Sequence, residues 1–329
     1  MLRPKDAFIA VTFRCNARCQ MCNIWKSSPT TEMGPEHYRK LPDSLKGINI
    51  TGGEPFLRKD LLEVVEAIHS AVPSARIVFS TNGLKTDTIL DTIGNVLKFH
   101  RKVGVGVSID GLEKTHDRIR GVPGAFRSAV STIEGLVRIG VEDLRIGMTL
   151  VKDNVADARA VHDLSKKLGV EFSTTFAHNS EIYFRKTDNL PPEMVGDSAR
   201  ALLDIQGSQL RSSSVKDWYR AYHVQGVMDP NLRKEFVMQC KAGSRYFFMT
   251  PAGDVYPCMS MDLRIGNLSN VSSWKELFEP GIELKVRIAV KNCREDCWMV
   301  CNTRSHIVSH PFKSSWWVAK NKVSAHIRK

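Results

Sequence analysis

The sequence predicts an α/β fold, an open (β/α)6 partial barrel followed by a smaller cysteine-rich unit. Two observations support this prediction: short β-branched runs alternate with helix-like segments as far as residue 180, and the alternation then stops. Alternating strands and helices predict parallel strands joined by right-handed crossovers. Six such units are too few for a closed eight-fold barrel, so we expect the barrel to be open.

The elements of this barrel follow from local patterns. The strand predictions are the β-branched runs 8–13, 48–51, 76–80, 103–109, 144–150 and 171–176. The clearest helix predictions, with apolar residues at a period near 3.6, are 60–70, 86–97, 126–139 and 156–168. Because ligands of such sheets lie at the carboxyl ends of the strands, we expect the functional residues there.

The rest of the chain divides by composition. We predict a core over 1–180, a helical connector over 181–239 with helices at 194–205 and 215–227, a cysteine-rich unit over 240–310 and a basic tail over 311–329.

Composition limits the class of protein. The 329 residues are 42% hydrophobic, enough for a packed core, and no apolar stretch is long enough to span a bilayer. We therefore expect a soluble, cytoplasmic protein. The formal charge of +12 favours anionic partners, although a diffuse solvated surface is the simpler explanation for most of the excess. No aromatic–basic binding motif accompanies this charge, which argues against nucleic acid as a partner.

Three cysteines follow the first predicted strand: Cys15, Cys19 and Cys22. Three thiolates on one short loop suit a soft metal, and an iron–sulfur cube held by only three of them keeps one iron open to a small molecule. Structural zinc is the alternative, although this loop offers no fourth ligand. Disulfides are not expected, because no apolar signal segment is present.

Short polar motifs occupy successive strand ends. Thr51-Gly52-Gly53-Glu54-Pro55 follows the second strand, where the glycines allow close backbone approach to a ligand and the carboxylate could accept from an ammonium group. Further polar side chains close the third and fourth strands, namely Ser80, Asn82, Ser108 and Asp110, and the fifth strand carries Arg145 and Thr149. Each motif is also typical of ordinary turns, but their regular succession predicts one shared site.

The cysteine spacing together with Gly-Gly-Glu-Pro resembles the radical S-adenosylmethionine (radical SAM) superfamily, over roughly residues 7–180. The resemblance implies a partial TIM barrel and a [4Fe–4S] cluster on Cys15, Cys19 and Cys22, with SAM chelating the open iron. It further implies that one electron cleaves SAM to a 5′-deoxyadenosyl radical, which removes a hydrogen atom from a substrate. The residues that the resemblance assigns to the cofactor are Met21, Gly52, Gly53, Glu54, Pro55, Ser80, Asn82, Ser108 and Asp110. From its place on the fifth strand, we expect Arg145 to bind the cofactor as well.

Five further cysteines lie near the C-terminus: Cys240, Cys258, Cys293, Cys297 and Cys301. The spacing of the last three would place their thiols on one face of a helix, and zinc is a serious alternative here too. The segment resembles the SPASM and Twitch extensions of radical SAM enzymes, which implies one auxiliary [4Fe–4S] cluster. We assign it to Cys240, Cys258, Cys297 and Cys301. Cys293 is then the spare thiol and a candidate hydrogen-atom donor, and it could exchange places with Cys297.

The substrate is not encoded in any motif. The first strand begins within ten residues of Met1, which leaves no room for a leader-binding domain, so we expect oxidation or epimerisation of a small-molecule, sugar or lipid-linked substrate. Peptide modification is the alternative, and a metal-stabilised binding module is a distant one. The chemistry implies a flavodoxin- or ferredoxin-type electron donor.

The tail after residue 310 contains no acidic residue, and Trp316, Ala319, Val323 and Ile327 share one helical face. This pattern predicts a basic amphipathic helix resting on the anionic inner face of a membrane. A terminal helix that docks its tryptophans on the core is the alternative.

Overall fold

A computed structural model describes residues 3–27, 31–193, 196–237, 240–295 and 297–327, without the side chains of residues 237, 301 and 302. Its first six strands pair in parallel and in chain order, so the predicted open α/β architecture is confirmed. These strands are β1 (Asp6–Ala10), β2 (Gly47–Thr51), β3 (Arg76–Thr81), β4 (Val103–Ser108), β5 (Asp143–Leu150) and β6 (Glu171–Phe176).

Helices cover the outer face of this sheet. They are α1 (Leu61–Ala71), α2 (Thr86–Phe99), α3 (Glu113–Arg120), α4 (Ala125–Arg138) and α5 (Ala158–Lys167). The outward residues Ile9, Ile50, Phe79, Val105 and Ile146 are completely buried in the core against these helices. Burial of this apolar layer supplies the main driving force for the fold.

Helix α3 was missing from the predictions. Its sequence, EKTHDRIR, is short and mostly charged, so it carries no apolar period. It forms because it buries His116, Ile119 and Arg120 beneath the cysteine loop and ends on Gly121, whose φ of 64° is left-handed.

The cysteine-rich unit continues the core sheet. Strand β7 (Tyr246–Met249) pairs in parallel with β1, and β8 (Asp254–Tyr256) and β9 (Gly266–Asn267) add antiparallel strands to give nine in all. The remaining helices are α6 (Gly196–Arg211), α7 (Val215–Met228), α8 (Pro230–Val237), α9 (Ile282–Asn292), α10 (Val300–Ser309) and α11 (Pro311–Ile327). The predicted domain boundaries stay a prediction.

The prediction of one helix through Cys293, Cys297 and Cys301 was wrong. Helix α9 ends at Asn292 because Cys293 is extended, with ψ of 135°, and α10 begins only at Val300. The thiol of Cys301 lies outside the described residues.

Helix α11 docks on the core and also exposes the predicted apolar face. Ser314 and Val318 are buried, and the ring of Trp317 lies 5.3 Å from that of Tyr222. Trp316, by contrast, is exposed.

No helix in the described part of the chain is long and apolar enough to cross a membrane.

Candidate functional site

A cavity of about 800 Å³ opens along the inner face of the sheet. Cys15, Cys19 and Cys22 line the end of the cavity at the carboxyl ends of the strands. This end is called the upper end or the cysteine end below. Predicted site residues that line the same cavity are Met21, Gly52, Gly53, Ser80, Asn82, Ser108 and Arg145. The structure therefore gathers residues more than 120 positions apart into one site.

The cysteine loop presents its thiols at this end. The backbone N–H groups of Ala17 and Ile24 lie 3.5 Å from the sulfurs of Cys15 and Cys22, an arrangement that stabilises thiolates. Burial nevertheless raises the pKa of Cys15 to about 12 and that of Cys22 to about 11, and it raises the pKa of Cys19 as well. Thiolates at this site therefore need a positive partner, which a metal cluster provides.

Adjacent glycines hold the cysteine loop in place. A Cβ on Gly52 would lie 2.3 Å from the carbonyl oxygen of Thr12, and one on Gly53 would lie 2.3 Å from that of Arg14. The N–H groups of Gly53 and Glu54 donate to these two oxygens at 2.8 Å. The glycines thus permit a close contact between two stretches of backbone, in addition to facing the cavity.

The carboxylate of Glu54 turns away from the cavity, which corrects its predicted role as an acceptor for the ammonium group. It is completely buried, and it accepts from the Thr81 hydroxyl at 2.7 Å and from the Asn82 N–H at 2.8 Å. Burial raises its pKa to about 7. Glu54 therefore ties the end of β2 to the end of β3. Pro55 is also buried, where it opens a turn of 3-10 helix.

The carboxylate of Asp110, which the resemblance assigns to the cofactor, likewise binds groups of the protein itself. Its two carboxylate oxygens face the Thr149 N–H, at 2.8 Å, and the guanidinium of Arg120, at 2.6 Å. Asp110 is completely buried, so it serves as the counter-ion of Arg120.

Arg120 is a site residue that sequence reasoning missed. It lines the cavity, and its Nη1 lies 3.5 Å from the sulfur of Cys19. Burial opposes its charge, but Asp110 and Cys19 outweigh this effect and raise its pKa. A fixed positive charge beside the cysteines suits the carboxylate of an amino-acid cofactor. The only signal in the sequence was that Arg120 follows the Ser108–Gly111 motif within a short stretch of chain.

The segment after β6, residues 177–189, holds the cysteine loop through hydrogen bonds. The Tyr183 hydroxyl donates to the carbonyl oxygen of Gly52 at 3.0 Å, and the Asn23 N–H donates to that of Phe184 at 2.8 Å. The side chain of Asn189 donates to the carbonyl oxygen of Met21 at 3.1 Å. This strap was also missed, because its polar residues form no recognisable motif.

The second cysteine group gathers around β8. Burial, together with the charges of nearby Cys240 and Cys293, raises the pKa of the Cys258 thiol to about 12. Cys297 lines a small pocket together with Cys258. Cys293 lies beside Cys240 and Cys258 and does not line the main cavity. This placement favours a role with those two cysteines, and the assignment of Cys293 as spare thiol stays a prediction.

Two family models match the chain in these regions. One, described as the radical SAM superfamily, matches residues 9–164 and so includes the first cysteine group. The other, SPASM, described as an iron–sulfur cluster-binding domain, matches residues 240–299. The chain belongs to the radical SAM superfamily.

Relatives of this radical SAM protein include enzymes with different products. It is 26% identical to an AdoMet-dependent heme synthase of Methanosarcina barkeri, over 90% of each chain. It is 27% identical to the mycofactocin maturase MftC of Mycolicibacterium smegmatis, over 75% of this chain and 62% of that protein.

Solved structures support the same fold. Streptococcus suis SuiB bound to S-adenosylmethionine superposes with a TM-score of 0.64 at 15% identity, over 86% of this chain and 68% of that one. Native anSMEcpe with bound AdoMet superposes with a TM-score of 0.62 at 16% identity, over 99% of this chain and all of the other.

The protein is thus a radical SAM enzyme that uses SAM and [4Fe–4S] clusters. The residues around the upper end of the cavity fit these groups. Three thiols face one space, N–H groups point at two of their sulfurs, and the Nε of Arg120 is buried with no hydrogen-bond acceptor among the described residues. Cys15, Cys19 and Cys22 would hold the cluster there, and Arg120 would face the cofactor carboxylate.

Proposed function

We propose that this enzyme oxidises a small-molecule, sugar or lipid-linked substrate at a C–H bond facing the cysteine end of the cavity. When bound, SAM and its cluster would supply a 5′-deoxyadenosyl radical that removes a hydrogen atom from the substrate, and the auxiliary [4Fe–4S] cluster would accept the second electron of the oxidation as a proton leaves. The observation that carries the proposal is the single cavity shared by Cys15, Cys19, Cys22 and Arg120 with the hollow inner face of the sheet. A flavodoxin- or ferredoxin-type protein would supply the electron.

The protein positions the reaction through its own side chains. Tyr183 and Glu54 fix the Gly-Gly-Glu-Pro loop, which leaves Gly52 and Gly53 facing the cavity. Oxidation is better supported than epimerisation through Cys293, because that cysteine lies with Cys240 and Cys258 rather than on the cavity wall.

Anaerobic reconstitution tests the proposal. We expect about eight irons per chain in two clusters, and reductant-dependent release of 5′-deoxyadenosine that stops when Cys15, Cys19 and Cys22 are changed to Ala. A filtered small-molecule fraction of a cell extract should stimulate this release equally before and after protease treatment. Zinc in place of iron, or no SAM cleavage with the three cysteines intact, would contradict the proposal.

Peptide modification is the second candidate. It is favoured by the likeness to MftC and to the sporulation killing factor maturation protein SkfB of Bacillus subtilis, which is 25% identical over 88% of this chain and 68% of that protein. The protease experiment separates the two candidates, since a peptide substrate would lose its stimulation on digestion.

We also propose that helix α11 rests on an anionic membrane surface. Four large apolar side chains on one face are mostly exposed, with Phe312 at 90%, Trp316 at 72%, Val323 at 62% and Ile327 at 76%. Cationic residues flank this stripe, and the helix has no acidic residue. The stripe and its charges match the apolar boundary and negative headgroups of such a membrane.

The location of α11 suits a lipid-linked substrate. Helix α10 ends at Ser309, two residues before α11 begins, and its residues Val300, Ile307 and Val308 line the cavity. A membrane under α11 would therefore lie beside the cavity wall.

Vesicle co-sedimentation tests this contact with the full chain. We expect binding to vesicles containing anionic lipid and little binding to neutral ones, and at least about tenfold weaker binding for Trp316→Ser. Leu190→Ser is the matched control, because Leu190 is 80% exposed elsewhere. Equal vesicle binding by Trp316→Ser and wild type would contradict the proposal. A wild-type dimer in analytical sedimentation that becomes a monomer in Trp316→Ser would also contradict it, because a second copy of the chain would then cover this face.

A further inference from the structure

The inner face of the sheet is hollow because several of its inward positions are glycines. Gly104, Gly106 and Gly147 occupy inward positions of β4 and β5. A Cβ on Gly147 would meet no atom within 4 Å, whereas one on Gly106 would lie 3.2 Å from the Nε of Arg145. The guanidinium of Arg145 therefore extends over Gly106, in the space that a side chain would otherwise fill.

The other cations near Arg145 already have carboxylate partners. Arg76 pairs with Asp143, and Arg220 pairs with Glu171. In the part of the chain that the structure describes, no carboxylate lies within ion-pair distance of Arg145. Burial, together with the positive charges of Arg76 and Arg220, lowers its pKa to about 10. A guanidinium that lines a cavity without a counter-ion is suited to an anionic ligand.

Arg145 is separate from the cysteine end of the cavity. The charges that act on its pKa are those of Arg76, Arg220, Asp143 and Glu171, whereas Asp110 and Cys19 act on Arg120. Along β5, Arg145 lies two residues before Gly147, which pairs with Ser108 at the end of β4. This separation is roughly 7 Å along the strand. The cavity thus has two distinct cationic points.

We propose that Arg145 binds an oxyanion of the substrate, a carboxylate or a phosphate, and so directs the opposite end of the substrate toward the cysteines. This assignment replaces the expected cofactor role of Arg145. It rests on the proposed function only in the choice of the reacting end, because anion binding itself requires no turnover.

Calorimetric titration of the reconstituted enzyme with inorganic phosphate tests the site. Arg145→Gln should weaken phosphate binding at least about tenfold, because a charged, desolvated hydrogen bond is lost. Arg138→Gln is the matched control, since Arg138 is exposed at the end of α4, and it should bind phosphate as the wild type does. The affinity of Arg145→Gln for SAM should stay within about twofold of the wild-type value.

Two results would overturn the inference. One is a phosphate affinity of Arg145→Gln equal to that of the wild type. The other is a loss of SAM affinity in Arg145→Gln, which would show that Arg145 binds the cofactor. If Arg145→Gln does not fold, Arg145→Lys decides, because it keeps the charge but loses the bidentate fork and should bind phosphate several-fold more weakly. Unchanged affinity in Arg145→Lys would then refute the site. Failure of the wild type to cleave SAM would refute the proposed function alone.

Discussion

Gly53→Ala provides the sharpest test of how the cysteine loop is held. The added Cβ would lie 2.3 Å from the carbonyl oxygen of Arg14 and 2.7 Å from that of Phe13. Both are backbone atoms, so no side-chain rotation can relieve the contact. To restore ordinary van der Waals distance, the two stretches of backbone must separate by about 1 Å.

This separation would break two buried hydrogen bonds, from the N–H groups of Gly53 and Glu54 to Thr12 and Arg14, both now 2.8 Å long. Each buried group left unsatisfied costs about 1–3 kcal/mol, which amounts to about 2–6 kcal/mol against the native loop. A loss of this size corresponds to at least about tenfold less enzyme with the loop correctly formed.

The assay is anaerobic reconstitution followed by iron analysis and measurement of 5′-deoxyadenosine release. We expect Gly53→Ala to hold less iron and to release at least about tenfold less product. Gly94→Ala in α2 is the control, because a Cβ there meets nothing within 4 Å and should stabilise the helix by about 0.5–1 kcal/mol. Iron content and product release in Gly53→Ala equal to those of Gly94→Ala would refute the reasoning.

Three further predictions concern buried groups. The pKa of Glu54 rises from 4.5 to about 7 on folding, so its contribution to the free energy of unfolding falls as pH increases through this range. Glu54→Gln should flatten that slope in denaturant titrations, and an identical slope would contradict the shift. Cys293→Ala should lose up to about four irons per chain while SAM cleavage continues, whereas full iron content would make Cys293 the spare thiol after all. Gly226→Ala would place a Cβ 2.0 Å from the ring of Trp298, so it should lower the free energy of unfolding by about 1–3 kcal/mol and shift the tryptophan fluorescence. A melting temperature equal to that of the wild type would contradict this prediction, because it would mean that the ring moves aside freely.

The sequence predicted the parallel strands and both cysteine groups because these features depend on local pattern. Hydrophobic periodicity defines a strand or helix within a few residues, and the spacing of Cys15, Cys19 and Cys22 brings three thiols onto one loop whatever surrounds it. Boundaries in the core moved by only a few residues, as in β1, which begins at Asp6 rather than at residue 8, whereas α6 runs to Arg211 rather than to residue 205.

Helix α3 was missed because its stability comes from packing and not from an apolar period. The direction of individual side chains in the site was also beyond local pattern. Glu54 and Asp110 each stand at a strand end, as predicted, yet both carboxylates turn into the protein and bind its own groups. A strand-end position fixes where a residue lies but not which neighbour offers the better hydrogen bond.

The sequence by itself determined the family, the cofactors and the open α/β sheet, since each is encoded over short stretches of chain. Only the tertiary structure decided which groups face the cavity. Arg120 meets Cys19 across 101 positions of sequence, and Tyr183 meets Gly52 across 131. Arg145 keeps its charge unpaired because Arg76 and Arg220 hold the nearby carboxylates. Such pairings depend on which distant segments come together, and the free energy of burying a charge then selects its partner.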